Sequence, residues 1–402
     1  MVNTPKGNRL HIGLFGRRNV GKSSLLNALV RQDVAIVSAE AGTTTDPVEK
    51  PMELQPLGPV VFIDTAGIDD VGALGALRVE KTRQVLERVD LALLVMDSRP
   101  GDYEAALQQE LDARKIPTVR VLNKADLGGA ASEGAVAVSA KAGTGLAALK
   151  EAMLARAPAE CLQPPSLLAD LVGPGQLAVL VVPIDKEAPK GRLILPQVQS
   201  IRDLLDGDAM CLVVKERELK AALERLKDPP KLVVTDSQAF LKVAADVPRG
   251  VPMTSFSILF ARQKGDLATQ VRGAMAVERL RSGDRVLIAE ACAHHPIGED
   301  IGRVKIPRWL TQYTGAKLEF VHCQGHDFPA DLPSFKLVVH CGACTLNRRE
   351  VVNRIARCAE VGVPVTNYGL SIAYSLGIFE RVLEPFPAAL EAYRAAKAGG
   401  KA

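Results

Sequence analysis

The feature that most constrains this chain is a phosphate-binding loop near its N-terminus. Gly16–Ser23 reads GRRNVGKS and fits G-x-x-x-x-G-K-[ST], with the apolar run His11–Phe15 before it and the helical pattern Lys22–Arg31 after it. The glycines let consecutive backbone N–H groups curl around phosphate oxygens, while Lys22 can reach the β- and γ-phosphates and the Ser23 hydroxyl can bind Mg²⁺. The helix N-terminus adds its partial positive charge. The pattern predicts a nucleotide-binding strand–loop–helix unit.

A second motif, Asp64-Thr65-Ala66-Gly67, follows the apolar run Val60–Ile63. At the end of a strand, Asp64 can hold the coordination shell of Mg²⁺, and the Gly67 amide can meet the γ-phosphate. These two segments together predict a site for a nucleoside triphosphate and its metal ion.

Two further motifs select the base. Asn123-Lys124-Ala125-Asp126 ends the run Thr118–Leu122, and Ser139-Ala140-Lys141 follows the run Ala135–Val138. The Asp126 carboxylate can accept hydrogen bonds from N1 and N2 of guanine, which adenine cannot donate. All of these motifs lie at carboxyl ends of predicted parallel strands, where α/β sheets bind ligands. The chain therefore carries a predicted GTPase domain. Its expected GTP contacts are Gly16, Asn19, Val20, Gly21, Lys22, Ser23, Ser24, Asp64, Gly67, Asn123, Lys124, Asp126, Ser139, Ala140 and Lys141.

These motifs resemble translation-factor-type GTPases, in particular the group of tRNA-modification and ribosome-assembly GTPases. Gly42–Asp46 resembles that group's switch I, which implies Thr44 as a Mg²⁺ ligand beside Ser23 and Asp64, and Lys22, Thr44, Asp64 and Gly67 as the catalytic set. Asn19 occupies the place of an Asn that binds K⁺ in some members, although it equally fits an ordinary loop residue. Ile68 stands where Ras-like enzymes have a water-positioning Gln. The resemblance implies slow intrinsic hydrolysis that a monovalent cation could stimulate.

Length and composition set the frame for the rest of the chain. Its 402 residues suggest two or three domains, and its 4% aromatic residues leave the cores to aliphatic side chains, as in α/β proteins with buried parallel strands. The net charge of +4 is too small to indicate a nucleic-acid surface. Met1–Leu10 has no signal-peptide pattern, and no apolar run approaches the roughly 20 residues of a membrane helix. A cytoplasmic, membrane-free protein is expected, with its seven cysteines acting as metal ligands or core thiols.

The Pro-rich stretch Ala157–Pro165 predicts a linker. The expected organisation is α/β throughout: a P-loop GTPase domain with a doubly wound, mostly parallel sheet at 1–157, an α/β domain at 166–257, a second α/β domain with a parallel sheet at 258–394, and a disordered tail at 395–402. In the middle segment, Leu177–Pro183 and Arg192–Pro196 predict a hairpin, and Met253–Ser257 predicts a strand.

A cysteine pattern occupies the last third. Cys292-Ala293-His294 is followed, after 46 residues, by Cys341-Gly342-Ala343-Cys344. Cys292 and Cys341 each follow a predicted strand, so both should lie at one carboxyl edge of a parallel sheet, with Cys344 in the first turn of the next helix. Three thiolates with a harder fourth ligand suit a 4Fe-4S cluster or a zinc ion. The candidate fourth ligands are His294, His295 and Glu299.

A GTPase domain followed by C-x-H-x₄₆-C-x-x-C resembles the HydF family of FeFe-hydrogenase maturation GTPases, along the whole chain. The resemblance implies a homodimeric scaffold that holds a 4Fe-4S cluster on Cys292, Cys341 and Cys344, with 166–257 as the dimerisation domain and 258–394 as the iron–sulfur cluster-binding domain. It also implies that the scaffold receives a two-iron precursor from radical-SAM maturases and delivers it to apo FeFe-hydrogenase. Glu299 is the first candidate for a replaceable fourth ligand. His294 either takes that place or orients a ligand.

The sequence also allows two further metal-ligand candidates and two other functions. Cys323 and His326 also follow a predicted strand and could add ligands, although the family pattern does not require them. One alternative function is a tRNA-modification or ribosome-assembly GTPase with a zinc-binding accessory domain; the lack of a Lys/Arg run speaks against it. Another is a redox sensor whose GTPase output depends on loss of a cluster. Transfer of the metal group to another protein would separate these readings.

Overall fold

The computed structural model describes residues 4–32, 48–65, 81–82, 84–128, 134–184, 193–291 and 300–399. The chain divides into two compact units, Met1–Pro164 and Pro165–Ala402. Several predicted site residues lie outside the described ranges: Thr44, Gly67, Cys292, His294, His295 and Glu299.

The first unit is built on a six-stranded sheet with the order β2-β3-β1-β4-β5-β6. Only β2 runs antiparallel to its neighbour. Its strands are β1 Leu10–Phe15, β2 Val48–Leu54, β3 Gly58–Asp64, β4 Leu91–Met96, β5 Thr118–Leu122 and β6 Ala135–Ala137. Its helices are α1 Lys22–Gln32, α2 Asp102–Ala113, α3 Leu146–Arg156 and α4 Ala159–Leu162, with 3₁₀ turns at Lys6–Asn8 and Ala125–Leu127.

Side chains of the central strand β1 enter apolar layers on both faces of this sheet. Ile12 and Leu14 belong to one buried cluster, and Phe15 belongs to the other. A parallel strand covered on both faces reads as a continuous apolar run, which is why these strands were visible in the sequence.

The second unit contains two four-stranded parallel sheets, with the orders β10-β9-β7-β8 and β12-β11-β13-β14. The strands are β7 Leu177–Val181, β8 Met210–Val214, β9 Leu232–Thr235, β10 Met253–Ser255, β11 Arg285–Glu290, β12 Glu319–Gln324, β13 Leu337–His340 and β14 Val365–Asn367. The helices are α5 Ala169–Val172, α6 Leu195–Asp206, α7 Leu219–Glu224, α8 Phe240–Asp246, α9 Phe256–Lys264, α10 Leu267–Ala274, α11 Ile306–Thr314, α12 Arg348–Glu360, α13 Tyr368–Ser375, α14 Phe379–Leu383 and α15 Pro387–Gly399. Shorter helical segments are Ser237–Ala239, Met275–Arg279, Ile301–Lys305 and Leu332–Ser334.

A single buried apolar cluster joins the two sheets of this unit. It includes Val179 of β7, Leu259 of α9, Val271 of α10 and Ile288 of β11. Helix α9 lies where the predicted boundary at 257/258 falls, and its buried residues belong to this shared cluster. The α/β fold class is confirmed, whereas the three predicted domain boundaries stay predictions.

The predicted hairpin in the middle segment is wrong. Strand β7 pairs only with β8 and β9 within the described residues, and both pairings are parallel. Leu195 begins helix α6, with Pro196 in its first turn. Proline fits the start of a helix because its fixed φ is helical and its missing N–H has no partner to lose there.

Two other predicted elements differ from the structure. The strand expected over Met253–Ser257 ends at Ser255, because the Ser255 side chain accepts a hydrogen bond from the Ile258 amide and caps α9. The tail predicted to be disordered is helical through Gly399, as part of α15. Within the described ranges, no helix is long and apolar enough to span a bilayer.

Candidate functional site

The phosphate-binding loop follows β1 and leaves no room for side chains at two of its glycines. Gly16 has a φ of +146°, and a Cβ there would lie 2.2 Å from the Val95 carbonyl oxygen. Gly21 has a φ of +92°, and its Cβ would lie 2.3 Å from Nδ2 of Asn123. Asn19, the predicted K⁺ contact, is exposed and also left-handed, with a φ of 63°. The loop has the tight, glycine-dependent shape that exposes backbone N–H groups to phosphate.

Lys22 is buried beneath this loop. Its ammonium donates to the carbonyl oxygens of Gly16 at 2.8 Å and Arg17 at 2.9 Å. The neighbouring Ser23 and Ser24 are exposed at the start of α1. The charge of Lys22 is therefore held at the loop by backbone oxygens.

The metal side of the site joins α1 to β3. The Ser23 hydroxyl donates to Oδ2 of Asp64 at 2.7 Å. The other carboxylate oxygen, Oδ1, is buried and has no hydrogen-bond partner among the described residues. A buried anionic oxygen without a partner is costly, and Mg²⁺ prefers carboxylate and hydroxyl oxygens. The donor set thus fits the predicted Mg²⁺, while its other expected ligand, Thr44, lies outside the described residues.

The base-binding loops are tied to the phosphate loop by Asn123, which is buried. Its Oδ1 accepts from the Ala140 amide at 3.1 Å, and its Nδ2 donates to the Val20 carbonyl at 2.9 Å. Its neighbour Lys124 pairs with Asp97 at 2.8 Å. These contacts hold the phosphate and base ends of the site in one frame.

The residues predicted to select guanine lie at the surface. A hydrogen bond from Ser139 holds the pKa of Asp126 below its usual range, so that carboxylate is ionised at neutral pH. Asp126 and Lys141 are exposed, so both side chains are accessible to a ligand that arrives from solvent. An ionised carboxylate is an acceptor only, which suits the two donors on guanine.

Sequence reasoning missed one residue that supports this site. Glu104 of α2 is buried; one of its oxygens accepts from Nε of Arg17 at 2.7 Å, and the other accepts from the Gly101 amide at 2.9 Å. It therefore anchors a side chain of the phosphate loop. The available signal was the spacing of Gly101 and Glu104, which is that of a capping box at a helix N-terminus.

The cysteine site lies at the carboxyl edge of the sheet that contains β11 and β13. Cys341 directly follows β13, and its sulfur accepts hydrogen bonds from the amides of Ala291 at 3.0 Å and Ala343 at 3.4 Å. Thr345 donates from its hydroxyl to the Ala291 carbonyl at 2.9 Å. The residue that precedes Cys292 is thus in contact with the C-x-x-C loop.

Cys341 is half-buried, with its thiol turned into the protein toward two backbone amides. Burial raises its pKa to about 11, the neighbouring Cys344 raises it further, and the two backbone N–H groups oppose the shift. A thiol in this setting stays protonated until a metal displaces the proton, because coordination deprotonates a thiol outright. In the metal-free protein, Cys341 therefore carries a protonated thiol that can bind a metal but is a weak nucleophile.

Lys264, at the end of α9, is buried against the same loop. Its ammonium donates to the carbonyl oxygens of Leu346 at 2.6 Å, Ala343 at 2.9 Å and Cys344 at 3.4 Å. Burial lowers its pKa to about 8, and the two cysteines oppose the shift. Nothing local in the sequence marks this lysine as part of the site.

These contacts correct one expectation. Cys344 does not enter the first turn of the next helix; α12 begins at Arg348, after the cap Asn347. The Ala343 carbonyl accepts from the Leu346 amide in a turn, and the carbonyls of Ala343 and Cys344 also accept from Lys264, so the chain around Cys344 forms a loop before α12.

A second buried chain of polar groups reaches Cys341 from α12. His340 donates from Nδ1 to the Cys341 carbonyl at 2.9 Å, and its Nε2 accepts from Arg354 at 3.1 Å. The roles are fixed because arginine can only donate. Arg354 also pairs with buried Glu350 at 2.7 Å. Burial and the Arg354 charge lower the pKa of His340 to about 4.

The remaining cysteine and histidine candidates have other neighbours. Cys323 packs against an apolar cluster that contains buried Cys358. His326 lies 3.0 Å from Glu350. Cys211 packs against the shared core, and Cys161 is half-buried against the GTPase core rather than exposed. Among the described residues, no group of three or more His, Cys, Asp and Glu side chains converges as a metal site.

Comparison with known families assigns three segments of the chain. Residues 11–124 match a model described as a 50S ribosome-binding GTPase. Residues 167–265 match the hydrogen maturase F dimerization domain, and residues 268–385 match the hydrogen maturase F tetramerization domain. The fold and the nucleotide site define a P-loop GTPase with an appended α/β unit. Because two models of one family together cover more than half of the chain, the protein belongs to the hydrogen maturase F family.

Individual proteins resemble parts of it. The tRNA modification GTPase MnmE of Bordetella parapertussis is 42% identical over 151 residues, covering 36% of this chain and 33% of the relative. GTPase Der of Wolinella succinogenes is 41% identical over 123 residues, covering 29% and 26%. The chain thus spans about a third or less of these relatives. The solved structure of Aquifex aeolicus Era has 21% identity and a TM-score of 0.31, with 59% of this chain and 99% of that chain covered.

Proposed function

We propose that this protein is a GTP-hydrolysing scaffold for the maturation of FeFe-hydrogenase. It holds a 4Fe-4S cluster on Cys292, Cys341 and Cys344, takes up a two-iron precursor as cargo and delivers it to the apo-hydrogenase. The observation that carries the proposal is the hydrogen bond from the Ala291 amide to the Cys341 sulfur, which brings the chain next to Cys292 onto the C-x-x-C loop.

The donor chemistry supports a cluster with one replaceable ligand. Four thiolates are the usual protein ligands of a 4Fe-4S cluster. With only three, a carboxylate or imidazole takes the fourth place and leaves iron more readily than a thiolate does. Both ring nitrogens of His340 already have partners, so His340 is a poor fourth ligand. Glu299 and His294 remain the candidates, with Glu299 first. When bound, the cluster supplies an iron position at which the cargo can attach.

In the nucleotide half, Lys22 engages the β- and γ-phosphates, and Ser23, Thr44 and Asp64 hold Mg²⁺. Gly67 meets the γ-phosphate through its amide, and Asn19 provides a K⁺ contact. The unpartnered Oδ1 of Asp64 supports the Mg²⁺ assignment. Hydrolysis is slow without a stimulating cation or partner, because Ile68 cannot position the attacking water.

The partners follow from the same proposal. The family models describe dimerization and tetramerization segments, which support an oligomer; a homodimer is the proposed basic unit. Radical-SAM maturases supply the cargo, and apo FeFe-hydrogenase receives it.

The test is anaerobic reconstitution with iron and sulfide, followed by EPR of the reduced protein. A 4Fe-4S signal is expected in the wild type and in the control Cys323→Ser, which alters a thiol packed in the apolar core. Cys341→Ala should lose the signal while keeping GTP binding. About one tightly held zinc per chain and no EPR signal would overturn the proposal. That result would favour a tRNA-modification or ribosome-assembly GTPase with a zinc-binding accessory domain.

A further inference from the structure

We propose that Lys264 is a positioning residue of the cysteine site. Its ammonium holds the Cys341–Cys344 loop in its ligating shape from the end of α9 and gives a bound cluster a nearby positive charge that makes it easier to reduce. The second half of this inference rests on the proposed cluster-binding function, whereas the first half does not.

The contacts of Lys264 are those of a fixed, buried charge. The residue is 3% exposed, and its ammonium meets three carbonyl oxygens of one loop, those of Ala343, Cys344 and Leu346. An ammonium has three N–H donors, so this loop can satisfy all of them. The side chain also passes over the Phe260 ring, 5.5 Å from its centroid. A buried ammonium is retained only when it is well paired, and here backbone oxygens do the pairing.

A second cationic side chain, which follows the cysteine loop in the chain, contacts the same end of α9. Arg348, the first residue of α12, donates to the Gln263 carbonyl of α9 at 2.6 Å. Gly342 lies 3.9 Å, measured from an ideal Cβ position, from both Phe260 and Ser257 of α9. The end of α9 and the cysteine loop are therefore joined by one charged contact in each direction and by close packing between them.

This arrangement gives α9 a direct connection to the metal ligands. The helix is within the shared apolar core of the second unit, so its last residue cannot shift without disturbing that core. Lys264 belongs to the segment that matches the dimerization domain, and the loop it holds belongs to the segment that matches the tetramerization domain. The segment named for dimerization thus shapes the cysteine loop.

The positive charge of Lys264 should also affect how easily a bound cluster is reduced. In a low-dielectric interior a unit charge interacts much more strongly than in water. Reduction adds an electron to the cluster, and a positive charge fixed 3.4 Å from the Cys344 carbonyl oxygen stabilises the added negative charge. Loss of that charge should make the cluster harder to reduce.

The experiment separates positioning from charge with two substitutions in the full-length protein. Lys264→Met removes both the donors and the charge. Lys264→Gln keeps an amide that can donate to two carbonyls but removes the charge. Lys242→Met is the matched control, because that lysine is about half exposed and pairs only with surface Glu216 among the described residues. The fluorescence of the sole tryptophan, Trp309, which packs against the shared core, reports folding of the unit.

The first readout is the alkylation rate of Cys341 in the metal-free protein, measured by mass spectrometry. At least a tenfold increase is expected in Lys264→Met, with Lys264→Gln and the control near the wild type. The second readout is the midpoint potential of the reconstituted cluster. Both Lys264 variants should have a tenfold lower ratio of reduced to oxidised cluster at a fixed potential, equal to about 59 mV for one electron.

The alkylation rate tests the positioning role of Lys264, and the midpoint potential tests the effect of its charge. Wild-type alkylation in a folded Lys264→Met overturns the positioning role, and an unchanged potential in Lys264→Gln overturns the charge effect. If Lys264→Met does not fold, the test rests on Lys264→Gln, whose amide keeps two donors for the loop. Fast alkylation of Cys341 in a folded Lys264→Gln variant would contradict the idea that hydrogen bonds from residue 264 position the loop. If the wild type binds no cluster, the proposed function fails, and the alkylation rates still test the positioning role.

Discussion

The amide nitrogen of Ala291 lies 3.0 Å from the sulfur of Cys341, although 50 positions separate the two residues in the chain. Strands β11 and β13 are parallel neighbours, with Ala289 aligned to His340, so their carboxyl ends meet. Cys292 is the residue after Ala291 and is therefore predicted to lie within reach of the C-x-x-C loop.

This relationship predicts which disulfides a mild oxidant forms in the metal-free protein. Cys292 should couple to Cys341 or Cys344, because a disulfide needs Cα atoms about 4.4–6.8 Å apart. Peptide mapping by mass spectrometry checks the pairing. Cys323 and Cys358 should remain reduced in the apolar cluster they occupy. Cys292 found paired with Cys161 or Cys211 instead would contradict a common cysteine site.

A substitution at Asp64 tests the metal side of the nucleotide site. Asp64→Asn removes the negative charge that faces the predicted Mg²⁺, so GTP turnover should fall roughly tenfold or more and require more Mg²⁺. Turnover measured across a Mg²⁺ titration gives both effects. Asp112→Asn on the surface of α2 is the control. Equal Mg²⁺ dependence in the two variants would rule out Asp64 as a metal contact.

The base specificity depends on one carboxylate. Asp126→Asn replaces an acceptor-only group with an amide that both donates and accepts, which suits the edge of xanthine and not that of guanine. Affinity for GTP should fall at least about tenfold, while affinity for xanthosine triphosphate should rise. Fluorescent analogues of both nucleotides measure the two constants. Unchanged preference for GTP would mean that another residue reads the base.

The buried pair Glu350–Arg354 predicts a large effect on stability. Arg354→Met removes the 2.7 Å partner of the buried Glu350 carboxylate and leaves it with His326 at 3.0 Å; breaking a buried pair costs about 3–5 kcal/mol of unfolding free energy, and the remaining contact should place the loss toward the lower end. Urea unfolding followed by Trp309 fluorescence measures the loss. The double variant Glu350→Gln/Arg354→Met should recover part of it, because the buried negative charge is gone. A double variant less stable than the single one would refute this account.

The stability of the GTPase unit should depend on pH through His11. Burial lowers the pKa of His11 from its ordinary 6.5 to about 4, even though Asp90 lies 3.7 Å from its ring. The unfolded chain therefore binds a proton that the folded chain does not, and stability falls as the pH drops from about 6.5 to 4, by about 3 kcal/mol in all. Denaturation followed by circular dichroism measures it. His11→Asn should flatten this dependence; an identical pH profile would exclude His11 as its source.

Much of the fold was predictable because parallel strands covered on both faces appear as unbroken apolar runs. The motif residues Asp64 and Cys341 could be located for the same reason, since each directly follows such a run. Helices α6 and α9 were missed because their signals are single residues: Pro196 in a first turn and Ser255 as a cap. Apolar content alone does not separate a short strand from the start of a helix.

The residues that support the cysteine site could not have been found in the sequence. Lys264 binds the Ala343 carbonyl across 79 positions, and an isolated lysine at a helix end gives no sign that it is buried. Arg354 is a similar case, because nothing in the sequence links it to His340. Motifs identify the groups that meet a ligand, whereas the groups that hold them are specified by tertiary packing.

The apolar cluster that joins the two sheets of the second unit limits how such proteins can be recombined. Val179, Leu259, Val271 and Ile288 belong to one interior, so a chimera cut between residues 257 and 258 would pair two surfaces that never adapted to each other. Exchanging the whole of 165–402 keeps that interior intact. Residues 167–265 and 268–385 are therefore expected to be inherited together as one unit, whereas the GTPase unit can be exchanged separately.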